Sequence, residues 1–367
     1  MHRLKMLLPL ALALLFWQCL HLFNWPVGSL DAFVVNNGSE SRVYANDGAG
    51  YLSGSDAGDD IKASVDLALG DLDGDHDLDA FVVNYNDKNQ VYTNTGRGSF
   101  RVDDAGSDAN FGSAVALGDL DGDDDLDAFV TTSQLGENQL YINNGSGSFT
   151  VSDASSDKDA GGDVALGDLD GDGDLDAFVA NDGKNKLYIN NGSGVFTVLD
   201  ASSDVNESSG VAFGDLDGDD DLDAFVANDG VNRIYINNGS GSFTVSDATT
   251  DSYDSTSVAL GDLDGDGDLD AFVTNFFGTD PEADRIYEND GSGSFSSYEA
   301  GGNAVRSYDV ALGDLDDDGD LDAIVGHIGP NWVYLNDGFG IFSVNECDPS
   351  SDDRYSLGVA LGKLDRG

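Results

Sequence analysis

Cysteine is almost absent from this sequence. Cys19 and Cys347 are the only two in 367 residues. Cys19 lies in the N-terminal apolar segment, so neither a disulfide framework nor a cysteine-based zinc site can be built within one chain. Histidine is equally scarce. Beyond the first 28 residues only His76 and His327 remain, which leaves little for general acid–base chemistry and no legible nucleophile–base pairing. Positive charge is the third shortage. Sixteen Lys and Arg face 70 acidic residues, for a net charge of −54, and such a surface repels nucleic acid and anionic membranes. Glutamate occurs at only seven positions, so nearly all the acid is Asp, with its carboxylate held close to the backbone. A solvated, halophile-type surface would scatter these acids, whereas here they are clustered.

Residues 1–5 carry positive charge and Met6 to Phe23 is largely apolar. This is the layout of a secretory signal peptide or, if retained, of an N-terminal anchor. Residues 1–28 are therefore assigned to export and 29–367 to the folded domain, which places the protein outside the cell or at its surface.

One phrase, Val-Ala-Leu-Gly-Asp-Leu-Asp-Gly-Asp-x-Asp-Leu-Asp-Ala-Phe-Val, returns along the chain. Its first Asp falls at Asp71, Asp119, Asp168, Asp215, Asp262 and Asp314, with spacings of 48, 49, 47, 47 and 52 residues. Each phrase is followed by an Asn-rich stretch, an apolar-Tyr pair, an Asn/Asp-Gly turn and a short run containing Phe. This predicts four short strands per repeat: A (Val-Ala-Leu-Gly), B (Asp-Ala-Phe-Val), C (the apolar-Tyr pair) and D (the Phe). Asn-Gly and Asp-Gly between C and D are hairpin signals, because these residues tolerate positive φ. A four-stranded unit of this length has the size of a propeller blade.

The ends set the expected number. The chain enters the domain at Asp31-Ala32-Phe33-Val34, a strand B with no strand A before it. It leaves at Val359-Ala360-Leu361-Gly362, a strand A with no strand B after it. The fold expected is all-β: a seven-bladed β-propeller whose C-terminal strand A pairs with the N-terminal strands B–D. Residues 29–60 and 355–367 would share the closing blade, leaving no open sheet edge.

Between strands A and B sits a nine-residue loop with Asp at positions 1, 3, 5, 7 and 9. These are Asp71, Asp73, Asp75, Asp77 and Asp79 in the first loop, and Asp119, Asp121, Asp123, Asp125 and Asp127 in the second. The third holds Asp168, Asp170, Asp172, Asp174 and Asp176, and the fourth Asp215, Asp217, Asp219, Asp221 and Asp223. The fifth holds Asp262, Asp264, Asp266, Asp268 and Asp270, and the sixth Asp314, Asp316, Asp318, Asp320 and Asp322. Alternating carboxylates on a tight turn can converge on one centre. Hard oxygen donors without His or Cys specify Ca²⁺ over zinc or copper. Positions 1, 3, 5 and 9 would supply side-chain oxygens and position 7 a backbone carbonyl. An EF-hand is excluded, because its twelfth position needs a Glu where the third repeat has Val179. About six Ca²⁺ are expected, one per intact loop. None is expected at the split seventh loop, where position 1 is Lys363 and the covalent link is cut; Lys363 would pair with Asp31 or Asp365 instead.

On these residues the chain resembles the FG-GAP and VCBS-type repeat proteins, whose best-known relatives are the integrin α-subunit propellers. The resemblance spans roughly residues 29–367 and is carried by the recurring Asp-x-Asp-Gly-Asp-x-x-x-Asp loop and the Ala-Phe-Val strand after it. It implies a seven-bladed propeller with calcium held at positions 1, 3, 5 and 9 of the A–B loops, usually outside the cell and in adhesion or ligand binding. The Phe-Gly and Gly-Ala-Pro signatures that named the family are absent, so integrin-type partner choice does not transfer.

In a propeller the A–B and C–D turns share one face, and the B–C and D–A loops the other. The second face varies between repeats, as a recognition surface on a rigid scaffold would. The residue before each apolar-Tyr pair reads Arg42, Gln90, Gln139, Lys186, Arg233, Arg285 and Trp332. This series fits either contacts to a sugar or protein ligand, or strand-start residues that balance local acids. Phe276 and Phe277, in the longest B–C loop, are not required by the repeat, and His327 begins another. Together these residues make a candidate ligand face for an extracellular carbohydrate or protein. The function expected is a monomeric, non-catalytic binding or adhesion module. A calcium-dependent polysaccharide lyase or glycosidase, and a purely structural surface protein, are the alternatives.

Overall fold

The computed structural model describes residues 29–96, 98–134, 136–276, 282–301, 306–347 and 354–364. The described residues form 24 β-strands and no helix. They repeat the A–B–C–D order as antiparallel neighbours: Gly161–Gly167, Asp176–Gly183, Lys186–Ile189 and Thr197–Asp200 make one unit. In the first units, strands B and C merge into the bent Asp31–Asn46, and strand D runs into the next strand A as Leu52–Gly70. The C-terminal strand Ser356–Gly362 pairs antiparallel with Asp31–Asn46, bringing Gly362 opposite Asp31 and Ala360 opposite Phe33.

Strand B is apolar on both faces because both are covered. Asp127–Thr132 and Asp270–Asn275 are buried at every residue. The Phe of each strand B enters the next unit, where it meets the Tyr of strand C and the Phe at the start of strand D. Phe81 packs edge-on against Tyr141 and Phe149, at 5.2 and 5.4 Å between ring centres. Phe129 repeats the contact with Tyr188 and Phe196, and Phe272 with Tyr334 and Phe342. Each such Phe contributes about 1.5–3 kcal/mol by burial, and its edge-to-face pairs add roughly 0.5–1.5 kcal/mol. Where the last repeat meets the N-terminal strands, Ile324 replaces the Phe and packs with Tyr44 and Leu52. Cys347, reduced and buried, joins that cluster at the position where other units end strand D with Ala.

Units are also joined by hydrogen bonds. The Asn that ends each strand C donates to the carbonyl of the second loop residue in the preceding unit. Asn143 reaches Leu72 and Asn190 reaches Leu120, both at 2.9 Å. Asn237 reaches Leu169, Asn289 reaches Leu216 and Asn336 reaches Leu263. Asn46 reaches Leu315, and Asn94 reaches Leu364 near the C-terminus.

Strands A of distant units converge. Asp66, Asp163 and Asp309 each stand four residues before the Gly that ends strand A, and they are enclosed by protein while keeping some accessible surface. Asp66 accepts the Val115 amide, Asp163 that of Val211 and Asp309 that of Val359, each from a neighbouring unit at 2.8 Å. Burial first, and then repulsion from Asp309 and Asp163, raises Asp66 well above the carboxylate range. Burial pushes Asp163 to about 7, with Asp309 adding repulsion. A carboxyl raised in this way favours the folded state while protonated. Its contribution is full below the unfolded value of 3.8 and is lost as pH rises through about 7. The melting temperature of the native chain should therefore fall more steeply over that interval than that of Asp163→Ser, a residue this position already carries as Ser257. Parallel slopes would remove the Asp163 carboxyl from the account.

Candidate metal centres and the opposite face

Each A–B loop is shaped by its own carboxylates. In the first loop Asp71, at position 1, accepts the amides of Gly74, Asp75 and His76 at 2.8, 3.1 and 2.9 Å. This pulls the chain into a turn with left-handed backbone at positions 4 and 6. Gly74 has φ 80° and His76 φ 72°, and the other loops carry Gly or Asp at both points. Glycine adopts this geometry at no steric cost, whereas a side chain there costs about 1–2 kcal/mol.

Position 9 is already in use. Asp79 is fully buried and accepts the Leu72 amide on one oxygen (2.9 Å) and the Asn94 amide on the other (2.7 Å). The same pair of bonds is made by Asp127, Asp176, Asp223 and Asp322. Burial raises each of these carboxyls to about 6 despite the bonds. Position 9 therefore ties strand A to the end of strand C before any ion is considered.

Positions 1, 3 and 9 come together. Asp71, Asp73 and Asp79 each offer an oxygen within 4.8 Å of the others, as do Asp119, Asp121 and Asp127, and their counterparts in the next three loops. In four loops position 3 keeps an oxygen without a partner, while Asp170 and Asp264 accept the position-5 amide. One oxygen each of Asp73, Asp121, Asp217 and Asp316 is buried and accepts no hydrogen bond. Burial first, then the carboxylates at positions 5 and 1, raises Asp121 and Asp316. An orphaned anionic oxygen among like charges calls for a cation, and an all-oxygen donor set fits a hard one. Positions 5 and 7 do not belong to these triads. The position-5 oxygen accepts the position-7 amide, as Asp75 does from Asp77 at 2.9 Å. The position-7 carboxylate lies under the glycine of its own C–D hairpin. Cβ atoms on Gly145, Gly192 and Gly239 would collide with Asp125, Asp174 and Asp221. Position 7 is thus left with its backbone carbonyl as the expected ligand.

The split seventh loop keeps the scaffold without the acids. Asp31 takes the place of position 9, accepting the Leu364 amide at 3.2 Å and the Asn46 amide at 3.0 Å. No ion pair joins Lys363 to Asp31 among the described residues, because Asp31 is occupied by these amides; Asp365 lies outside the described residues.

The loops sort onto two faces as the repeat implies. Gly147 of a C–D hairpin donates to Leu72 of an A–B loop, whereas Ala154 after strand D donates to Asn138 in a B–C loop. On the second face the cations are paired. Lys186 sits among Asp157, Asp159 and Asp200, Arg233 between Asp204 and Asp247, and Arg285 beside Asp251. Arg42 lies 3.9 Å from Asp56 and over the Tyr44 ring. These pairings tie strand C to its own strand D and to the loop that enters its unit, which supports charge balance as their first role.

Phe276 packs against Tyr308 and under the Arg306 guanidinium, while Phe277 lies outside the described residues. His327 is buried beside Trp332. It stands where other units have a buried Asn, its Nδ1 3.3 Å from the Ser307 hydroxyl. Burial lowers its pKa to about 4, so it stays neutral near pH 7 and away from open solvent. Sequence reasoning missed the Asn clamps and the three converging Asp of strand A. The invariant Asn at the end of strand C was the signal available for the first.

The FG-GAP-like repeat family matches at residues 71–130, 119–179, 168–226 and 215–273. No curated protein matches the chain by sequence. Among solved structures, an Agrocybe aegerita lectin described by its recognition of non-reducing terminal N-acetylglucosamine is similar at 19% identity. It has a TM-score of 0.64, with 92% of this chain and 96% of that one covered. BBS1N, solved in complex with ARL6DN, is similar at 14% identity and a TM-score of 0.52, covering 88% and 92%. At these identities the likeness concerns the fold, a β-propeller of four-stranded units.

Proposed function

Because this chain belongs to the FG-GAP-like repeat family, we propose that it is an extracellular, calcium-loaded seven-bladed β-propeller that binds a carbohydrate or protein ligand without turning it over. The observation that carries this reading is the repeated triad at positions 1, 3 and 9, with an unpartnered buried oxygen at position 3. Calcium would be held by those carboxylates together with positions 5 and 7. When bound it supplies charge neutralisation to loops that are otherwise self-repelling, and so couples metal to folding. Two features support a closed seven-membered ring. The C-terminal strand pairs with the first strand, and the Asn-to-Leu bonds link every unit to its predecessor, with Asn46 and Asn94 spanning the ends.

A rigid ring whose calcium loops occupy one face leaves the variable loops of the other for recognition. The similar lectin and the similar BBS1N complex are consistent with a carbohydrate or a protein in that role. The test is an array of glycans and extracellular proteins probed with residues 29–367, in calcium and in chelator. Saturable binding without product formation, weakened in chelator, is expected. Cleavage of a uronate polymer would replace this reading with a lyase.

A further inference from the structure

The units differ at the first residue of strand C, and at one of them the difference opens the interface. In three consecutive units this residue is a cation held from two sides. Lys186 Nζ lies 2.9 Å from Asp200, at the end of its own strand D, and 3.5 and 3.3 Å from Asp157 and Asp159 in the loop that leads from the preceding unit into its own strand A. Arg233 is held by Asp247 and Asp204 in the same manner, and Arg285 lies between Asp251 of its entering loop at 3.4 Å and the Ser297 hydroxyl of its own strand D at 3.1 Å.

The unit before these keeps the acid and lacks the cation. Gln139 stands at the position of Lys186, Asp153 at that of Asp200, and Asn110 at that of Asp159. The Asn110 amide donates to Gln139 Oε1, which leaves the buried Asn110 Oδ1 with no donor. The Asp153 carboxylate is exposed and makes no hydrogen bond or ion pair among the described residues. Two short amides do not fill the volume that a lysine or arginine occupies elsewhere. A cleft of about 750 Å³ results, with Asn110, Phe111, Gln134, Gln139, Asp153 and Asp182 among its walls. Asp182, near the end of the following unit's strand B, likewise has no side-chain partner among the described residues. Glu137 at the rim is neutralised by Lys158 at 2.6 Å.

We propose that this cleft receives an ammonium or guanidinium group from outside the chain: a lysine or arginine side chain of a partner protein, standing where Lys186, Arg233 and Arg285 stand in the later units. The two exposed carboxylates in its walls, Asp153 and Asp182, carry negative charge with no cation beside them among the described residues, which suits a charged donor group. Phe111, in edge contact with Tyr85 at 5.2 Å, gives one wall an aromatic surface for the stem or for the guanidinium plane. The charge of −54 draws a basic partner in and speeds its encounter. The inference rests on the ligand-binding reading above and narrows it to a protein with an exposed basic residue.

The experiment is calorimetry of calcium-loaded residues 29–367 with a blocked glycine-flanked arginine peptide at physiological salt, and with its citrulline counterpart as the neutral control. One-site binding of the arginine peptide alone is expected. It should weaken about tenfold in Asp153→Asn, whose exposed position leaves folding intact, and vanish in Gln139→Arg, whose own guanidinium fills the cleft. No binding up to about 1 mM, several equivalent sites, or binding unchanged in Gln139→Arg would each overturn the proposal, the last two pointing to the diffuse acidic field. A glycan that competes for the cleft and is lost in Gln139→Arg, with no arginine binding, would overturn it in favour of a sugar. An array ligand indifferent to Gln139→Arg would sink the cleft while leaving the binding module standing.

Discussion

Removing calcium should lower the melting temperature of residues 29–367 by about 20 °C or more. Each ion that binds only the folded state adds about 2.7 kcal/mol when present at a hundred times its Kd. Six such loops would together add roughly 16 kcal/mol, more than the whole stability of a typical domain. The penalty on removal is sharpened by what remains. Asp121 is raised by burial and then by its neighbours Asp123 and Asp119, and the other position-3 carboxyls with an orphaned oxygen face the same crowding. The check is a thermal melt in millimolar calcium and in excess chelator, with bound metal counted. A large drop with close to six ions bound is the expected result. An unchanged melt, or no metal, would leave the acids as a solvated halophile-type surface.

Two substitutions within one loop should separate the ion from the scaffold. Asp127 accepts the buried amides of Leu120 and Asn143 at 3.0 and 2.7 Å. Asp127→Ala strands both, at about 1–3 kcal/mol each, so it should destabilise the protein in calcium and in chelator alike. Asp121 keeps one buried oxygen with no donor. Asp121→Asn should cost one ion and about 2.7 kcal/mol in saturating calcium, yet leave the chelated protein unchanged or slightly more stable, because it relieves repulsion. Denaturant midpoints in the two conditions read the contrast. If both variants lose stability equally in chelator, position 3 has a structural duty and the reading of an ion-starved oxygen fails.

The strands and the acidic loops were legible in the chain because their cause is local. Asp-Leu-Asp-Gly-Asp places carboxylates on a turn whose shape follows from Asp71 capping the next few amides, and Asn-Gly marks the hairpin by its tolerance of positive φ. The inward-facing Ala-Phe-Val could be read as strand, since a run apolar on both faces must be covered on both. The pairing of Asp31 with Gly362 was also foreseeable, because one end of the chain stops at the strand the other end lacks.

What the tertiary structure decided depends on contacts between units. Lys186, Arg233 and Arg285 looked equally able to meet a ligand or to balance acids, until strand C was set beside the loop that enters its unit from the one before. Asp79 looked like one carboxylate among five, until its burial and its bonds to Leu72 and Asn94 separated it from the rest. His327, legible as a candidate base, is enclosed as a substitute for asparagine. Asp66, Asp163 and Asp309 lie tens to hundreds of residues apart, and nothing in their neighbours' identities brings them together. Spacing along a chain encodes what a few consecutive residues do to one another; which charge a side chain meets across an interface is set only when the units pack.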